Sequence, residues 1–136
     1  MAVTARAWDV VALGEPLIEF NQTQPGLPNY LQGFGGDTSN AMVAAARAGA
    51  RVAYLTRLGV DEFGDAIEAM LRSEGVDTAA IQRDPVAPTG LYFVTHGPQG
   101  HQFTYRRAGS AAALMRPEDV PHAPIQQSRH FHVSGI

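Results

Sequence analysis

An α/β fold, a parallel sheet with extra short strands inserted into it, is what this sequence predicts, on three observations. Short apolar runs at Trp8 to Leu13 and Arg51 to Leu58 alternate with an alanine-rich segment, Ala41 to Ala48, and with one whose apolar residues recur at helical spacing. Both helical segments open on a residue able to cap them and close on a glycine. The stretch Thr89 to Arg107 breaks this alternation and reads as two strands around Gly97-Pro98-Gln99-Gly100, a hairpin set between α/β units.

Taken in order, Trp8 to Leu13 is an apolar run ending at Gly14, and Leu17 to Phe20 resumes with strand-like alternation. Gln22 to Pro28 holds two prolines and a glycine and marks a loop, after which Tyr30 to Phe34 is a third strand running into a double glycine. A helix is predicted from Asp37 or Thr38, either of which can accept an N–H bond from the first turn. Gly49 stands where its left-handed cap belongs. Arg51 to Leu58 is the next strand, and a second helix follows, capped by Asp61, with Phe63, Ile67, Met70 and Leu71 on one face and Gly75 at its end. Short strands are expected near Thr78 to Gln82, Thr89 to His96 and His101 to Arg107. Arg116 to Gln127, rich in proline and acid, reads as connecting structure with a helical turn, before a last strand at Phe131 to Val133.

Composition removes several classes of function. The 136 residues, 45% hydrophobic and 17% charged, suit one globular domain. A net charge of -3 supplies no basic surface of the kind nucleic acids need. No apolar run approaches the roughly 20 residues that span a bilayer, and Met1 to Trp8 lacks the apolar core of a signal peptide. These features predict a cytoplasmic protein without a nucleic-acid or membrane partner. The absence of cysteine excludes disulfides, thiolate metal sites and a cysteine nucleophile.

The stretch Gly33-Phe34-Gly35-Gly36-Asp37-Thr38-Ser39-Asn40 carries the most chemistry. Adjacent glycines let a ligand approach the main chain closely, and the first N–H groups of the following helix point outward as donors. Gly35, Gly36 and the Asn40 amide are therefore candidates to bind sugar hydroxyls, although a strand-to-helix turn needs glycine for geometry alone. Asp37 has the simpler reading of a helix cap. The spacing is neither a dinucleotide-binding fingerprint nor a P-loop.

On the second hairpin strand, alternation sets Tyr105 and Arg107 on one face and Arg106 on the other. A guanidinium held on a strand grips a carboxylate through two parallel N–H bonds, and a neighbouring phenol adds a third. The competing reading is a solvated arginine pair on an exposed hairpin. Tyr92, opposite Leu91 and Phe93, is either a pocket residue or half-buried packing. Glu15, just past the first strand, is placed for a ligand-facing acid or for a structural ion pair. His130 and His132 share a strand face, and a metal there needs a third ligand that the sequence does not identify. No catalytic triad can be assembled from spacing.

These pieces, in this order, resemble the ribokinase-like carbohydrate kinases of the phosphofructokinase B type. The resemblance is carried by Gly14-Glu15-Pro16, by Gly35 to Asn40, by Leu58-Gly59-Val60-Asp61-Glu62-Phe63-Gly64 and by Gly75-Val76-Asp77. Thr89-Gly90-Leu91-Tyr92, Tyr105-Arg106-Arg107-Ala108-Gly109-Ser110-Ala111 and His132 to Ile136 are similar to the 2-keto-3-deoxygluconate kinases within that family. One departure is Arg106, where similar kinases often carry a second aromatic residue.

The resemblance implies a three-layer α/β/α fold, of which residues 1–136 form the N-terminal part, with a small β-sheet lid from about 15–34 and 89–107. It implies a substrate site of Gly35, Gly36, Asp37, Asn40, Tyr92, Tyr105 and Arg107, with Arg107 facing a sugar-acid carboxylate. The implied reaction moves the γ-phosphoryl group of ATP, with Mg2+, to 2-keto-3-deoxygluconate, giving the 6-phosphate. The family's later Gly-Ala-Gly-Asp stretch, which holds its general base, has no match here, so no catalytic residue is assigned. The ATP-binding half is expected to be absent and the chain alone to be inactive. Alternatives are a fructokinase or ribokinase acting on a neutral sugar, and a non-catalytic sugar-acid binding module. Pairing of copies through the lid is also expected.

Overall fold

The computed structural model describes residues 6–135, so the first five residues and Ile136, which closes the last resembling stretch, lie outside the described residues. The strands are β1 (Trp8–Leu13), β2 (Leu17–Gln22), β3 (Tyr30–Gly35), β4 (Val52–Leu55), β5 (Arg57–Gly59), β6 (Val76–Asp77), β7 (Gln82–Asp84), β8 (Leu91–Gly97), β9 (Gly100–Arg106) and β10 (Ser128–Val133). Among the described residues three helices accompany them, α1 (Asp37–Arg47), α2 (Glu62–Ser73) and the short α3 (His122–Gln126), with a 3-10 turn at Pro117–Asp119.

The strands form a main sheet of order β10-β1-β4-β6, parallel throughout. A parallel sheet needs cover on both faces. Alternation along β1 and β4 supplies two apolar faces. Ala12, Val52 and Tyr54 pack with Met42 of α1 and with Ile67 and Leu71 of α2. Val11, Ala53 and Leu55 face the other way, toward Val120 and Ile125. Fully burying a side chain such as Leu71 is worth about 1.5–3 kcal/mol, so these faces dominate the stability of the layer.

A second sheet, order β3-β2-β8-β9, stands beside the first. Its two hairpins, β2–β3 and β8–β9, are antiparallel and join through a parallel β2–β8 pair. Phe20 of β2 meets Phe63 of α2 edge to face, ring centroids 5.9 Å apart, and stacks on Phe93 at 5.4 Å. That contact roots the lid sheet on the α/β layer. No helix among the described residues is long and apolar enough to cross a membrane.

Three local expectations are corrected. Neither Asp37 nor Thr38 caps α1; Gly36 occupies the cap position with φ 115°, and no side chain bonds the first N–H groups. Asp37 is instead the first helical residue, where its charge complements the helix dipole. The run Arg51 to Leu58 is two strands, since β4 pairs with β1 and β6 while β5, among the described residues, pairs with β7 alone. Thr56 lies at the break, and its carbonyl accepts the Gln82 N–H at 3.0 Å. An apolar run cannot reveal a change of partner. The strand expected at Thr78 to Gln82 is mostly a turn, closed by Asp77 accepting the Ala79 N–H at 3.0 Å and by Ile81 N–H donating to the Thr78 carbonyl. Asp61 does cap α2, accepting the Gly64 N–H at 2.7 Å.

Candidate functional site

Between the two sheets lies an open cavity of about 800 Å³. One side is the strand-to-helix turn at the start of α1. A Cβ on Gly36 would come within 2.7 Å of the Glu15 carbonyl and of the Ser39 hydroxyl, and φ 115° is itself a glycine conformation. The tight turn brings Gly36, Asp37 and Thr38 to the cavity wall. With no side-chain cap, the first N–H groups of α1 are available to a ligand oxygen. Ser39 braces the turn from beneath, its hydroxyl donating to the carbonyls of Gly35 and Gly36 at 3.1 and 3.0 Å.

The opposite wall comes from the lid. Tyr92 and Tyr105 are paired across β8 and β9, with ring centroids 5.5 Å apart, and Phe103 stacks on Tyr105 at 6.3 Å. Arg107, just past β9, completes this wall. Three aromatic faces suit the C–H face of a pyranose or an extended sugar chain, while the phenols and guanidinium supply polar contacts at the rim. Tyr92 is 8% exposed and its hydroxyl donates to the Glu19 carboxylate. Burial, together with that bond, pushes its phenol well above the usual tyrosine range.

Beneath the turn, the hydroxyls of Thr38 and Tyr54 hydrogen-bond at 2.7 Å. Tyr54 is wholly buried, and burial holds its phenol far above the ordinary value. The bond ties the first turn of α1 to the centre of the main sheet.

Of the residues singled out in the sequence, Gly36, Asp37, Tyr92, Tyr105 and Arg107 line one cavity. Gly35 is buried against the Tyr92 ring edge, which leaves no room for a Cβ. Asn40 is exposed on the first turn of α1, its N–H donating to the Gly36 carbonyl at 3.0 Å, and it does not line the cavity. Glu15 lines the same cavity and is ion-paired with Arg107, so the structure is compatible with both readings of it. Arg107 is exposed over 47% of its side chain and held by Glu15, while Arg106 is exposed and donates to the Tyr105 carbonyl. Sequence reasoning missed Phe103, Thr38 and Met115 on the wall. Phe103 was legible, two residues from Tyr105 on the same strand face; nothing in the sequence marks Met115.

Comparison with known proteins agrees with this architecture. The chain is 41% identical over 134 residues to a 2-dehydro-3-deoxygluconokinase of Thermoproteus tenax, covering 93% of this chain and 41% of the relative. It is 36% identical over 133 residues to a probable fructokinase-3 of Arabidopsis thaliana, covering 93% and 39%. The chain therefore spans about two fifths of the length of these curated relatives. A PfkB protein from Polaromonas sp. JS666 superposes with a TM-score of 0.88 at 29% identity, over 93% of this chain and 44% of that one. A fructokinase from Xylella fastidiosa, solved with bound ATP, superposes with 0.83 at 35% identity, over 91% and 38%. Residues 8–136 match the profile described as pfkB family carbohydrate kinase. That match takes in nearly the whole chain, and the chain belongs to the pfkB family of carbohydrate kinases.

Proposed function

We propose that this chain forms the acceptor-sugar side of an ATP-dependent kinase acting on 2-keto-3-deoxygluconate, the 2-dehydro-3-deoxy acid of the Thermoproteus tenax relative's name. The observation that carries the reading is Arg107 on the cavity wall beside Tyr105, a guanidinium and a phenol facing a space large enough for one sugar acid. In this reading the α1 turn, with Gly36 and Asp37, binds hydroxyl groups, and Tyr92 and Tyr105 pack on the carbon chain. The sugar is held with its terminal hydroxyl free for phosphoryl transfer.

ATP is the phosphoryl donor in this proposal, and Mg2+ neutralises its phosphate oxygens. Among the described residues no three of His, Asp and Glu gather as a metal site, so no residue of this chain is given a part in holding the ion. The general base and the nucleotide site are assigned outside residues 1–136, and with them the expectation that this stretch alone is inactive. The protein is placed in the cytoplasm, where ATP is available. Copies are proposed to pair through the lid, whose outer strands β3 and β9 have open edges and where Leu31 is 69% and Phe34 41% exposed; sedimentation as a monomer at micromolar concentration would overturn that pairing.

A neutral sugar is the second reading, favoured by the fructokinases among the relatives. A coupled ADP-release assay on the complete protein, with 2-keto-3-deoxygluconate, fructose and ribose at equal concentration, separates the two. Preference for the keto-deoxy acid supports the proposal, and preference for fructose or ribose overturns it. Binding of the acid without turnover of any sugar would leave a binding module.

A further inference from the structure

Glu15 stands where the chain leaves β1 for the lid, and both of its carboxylate oxygens are engaged. Oε2 accepts the Arg107 Nε–H at 2.7 Å and lies 2.6 Å from Nη2, while Oε1 accepts the Ser110 hydroxyl at 2.7 Å. The Glu15 side chain is 11% exposed and that of Arg107 47%. Gly90, at the other crossing into the lid, leaves the space this arrangement needs. A Cβ there would come 2.5 Å from Glu15 Oε1 and 3.4 Å from the Arg107 Cβ.

A guanidinium has two edges that can each meet an acceptor pair, a side edge of Nε and one Nη, and an end edge of the two Nη atoms. Glu15 occupies the side edge. The plane of the group is thereby set, and the end edge, Nη1 with the outer N–H of Nη2, is left for a ligand in the cavity that Arg107 lines. An arginine without such a partner samples many rotamers and loses that freedom when it grips a ligand. Glu15 removes the freedom beforehand, and Ser110 holds Glu15.

We propose that Glu15 is a positioning residue for the sugar-acid carboxylate, acting through Arg107, with Ser110 as its own support. The inference rests on the sugar-acid reading above. It makes the pair, rather than Arg107 alone, the determinant of affinity for the acid.

The test is a double-mutant cycle on the complete enzyme with 2-keto-3-deoxygluconate as the varied substrate. Glu15→Ala is expected to raise KM about tenfold with kcat within about threefold, yet to change KM less than about twofold when Arg107→Met is already present. Glu15→Gln keeps an oxygen for the guanidinium and an amide for Ser110, and is expected to recover most of the lost affinity. An equal loss from Glu15→Ala in both backgrounds would overturn the proposal, because Glu15 would then act without Arg107. The Arg107 Nε–H resonance in a 15N spectrum, identified by its disappearance in Arg107→Met, gives a readout that needs no substrate. Slow exchange in the wild type and fast exchange in Glu15→Ala supports positioning; the same exchange in both overturns it. Failure of the sugar-acid reading shows separately, as equal KM values for the acid in the wild type and in Arg107→Met, and the proton-exchange result then decides the pair.

Discussion

The carboxylate of Asp61 holds Thr89 through two hydrogen bonds, from its N–H to Oδ2 at 2.8 Å and from its hydroxyl to Oδ1 at 2.8 Å. The same carboxylate caps α2 through the Gly64 N–H. One side chain therefore fastens the start of a helix in the α/β layer to Thr89, two residues before β8 of the lid. The Thr89 hydroxyl continues the chain by accepting the Gly59 N–H at 2.9 Å.

Removing this carboxylate is expected to cost about 2 kcal/mol, because a cap is lost and the Thr89 N–H is left without its acceptor. Burial alone would raise the Asp61 carboxyl, but the N–H groups of Thr89 and Gly64 outweigh it and hold it below the usual aspartate range. A group depressed in the folded state contributes stability above its unfolded value, about 3.9, and loses it as pH falls through the lower folded value. Chemical denaturation between about pH 5 and 2 is expected to show this loss in the wild type and a flatter profile in Asp61→Asn.

Thr56 is 1% exposed and its hydroxyl has no hydrogen-bond partner among the described residues. Thr56→Val replaces that hydroxyl by a methyl of similar volume. The variant is expected to gain about 1 kcal/mol in urea denaturation, since an unpaired buried hydroxyl carries a desolvation cost. A loss of stability would show that the hydroxyl is bonded in solution.

Gly36→Ala places a Cβ in a conformation disfavoured for L-residues and against the Glu15 carbonyl. A cost of about 1–3 kcal/mol is expected in thermal or urea unfolding. In the complete enzyme the same change is expected to raise sugar KM, because the α1 turn forms part of the cavity wall.

Tyr54 and Tyr92 both carry phenols raised by burial. They are expected to keep their protons at about pH 11, beyond the ordinary tyrosine value of about 10. Ultraviolet titration of Tyr54→Phe or Tyr92→Phe up to that pH should then match the wild-type amplitude. A raised phenol contributes stability that is complete below about pH 10 and is lost as pH rises toward the folded value.

Arg107→Met is expected to raise KM for a keto-deoxy sugar acid by roughly 10- to 100-fold, the range of one or two hydrogen bonds to a charged group. For fructose or ribose the change is expected to stay within about threefold. Steady-state kinetics with the acid and a neutral sugar side by side make the comparison, and equal losses for both would remove the carboxylate from the reading.

Much of this protein was legible along the chain. The glycine turn before it located α1 and periodicity located α2, and Gly49 and Gly75 ended them with φ of 91° and 81°. The glycine turn and the Tyr105 and Arg107 face were readable because both are short-range: one depends on backbone freedom, the other on the two-residue period of a strand. What the sequence by itself determined is therefore the two longer helices, most of the strands, the hairpin inserted among them and the family they belong to.

The tertiary structure decided everything that depends on who pairs with whom. It divided Arg51 to Leu58 between two sheets, a choice made by strands β1, β6 and β7 rather than by the run itself. It also left Asn40 outside the cavity and gave the cap position to Gly36, because the close approach of the Glu15 carbonyl admits no side chain there. The union of Glu15 with Arg107, 92 residues apart, needed the lid strands folded back on the main sheet. Sequence spacing records no such distance, since an ion pair between remote residues exists only once packing has brought their backbones together.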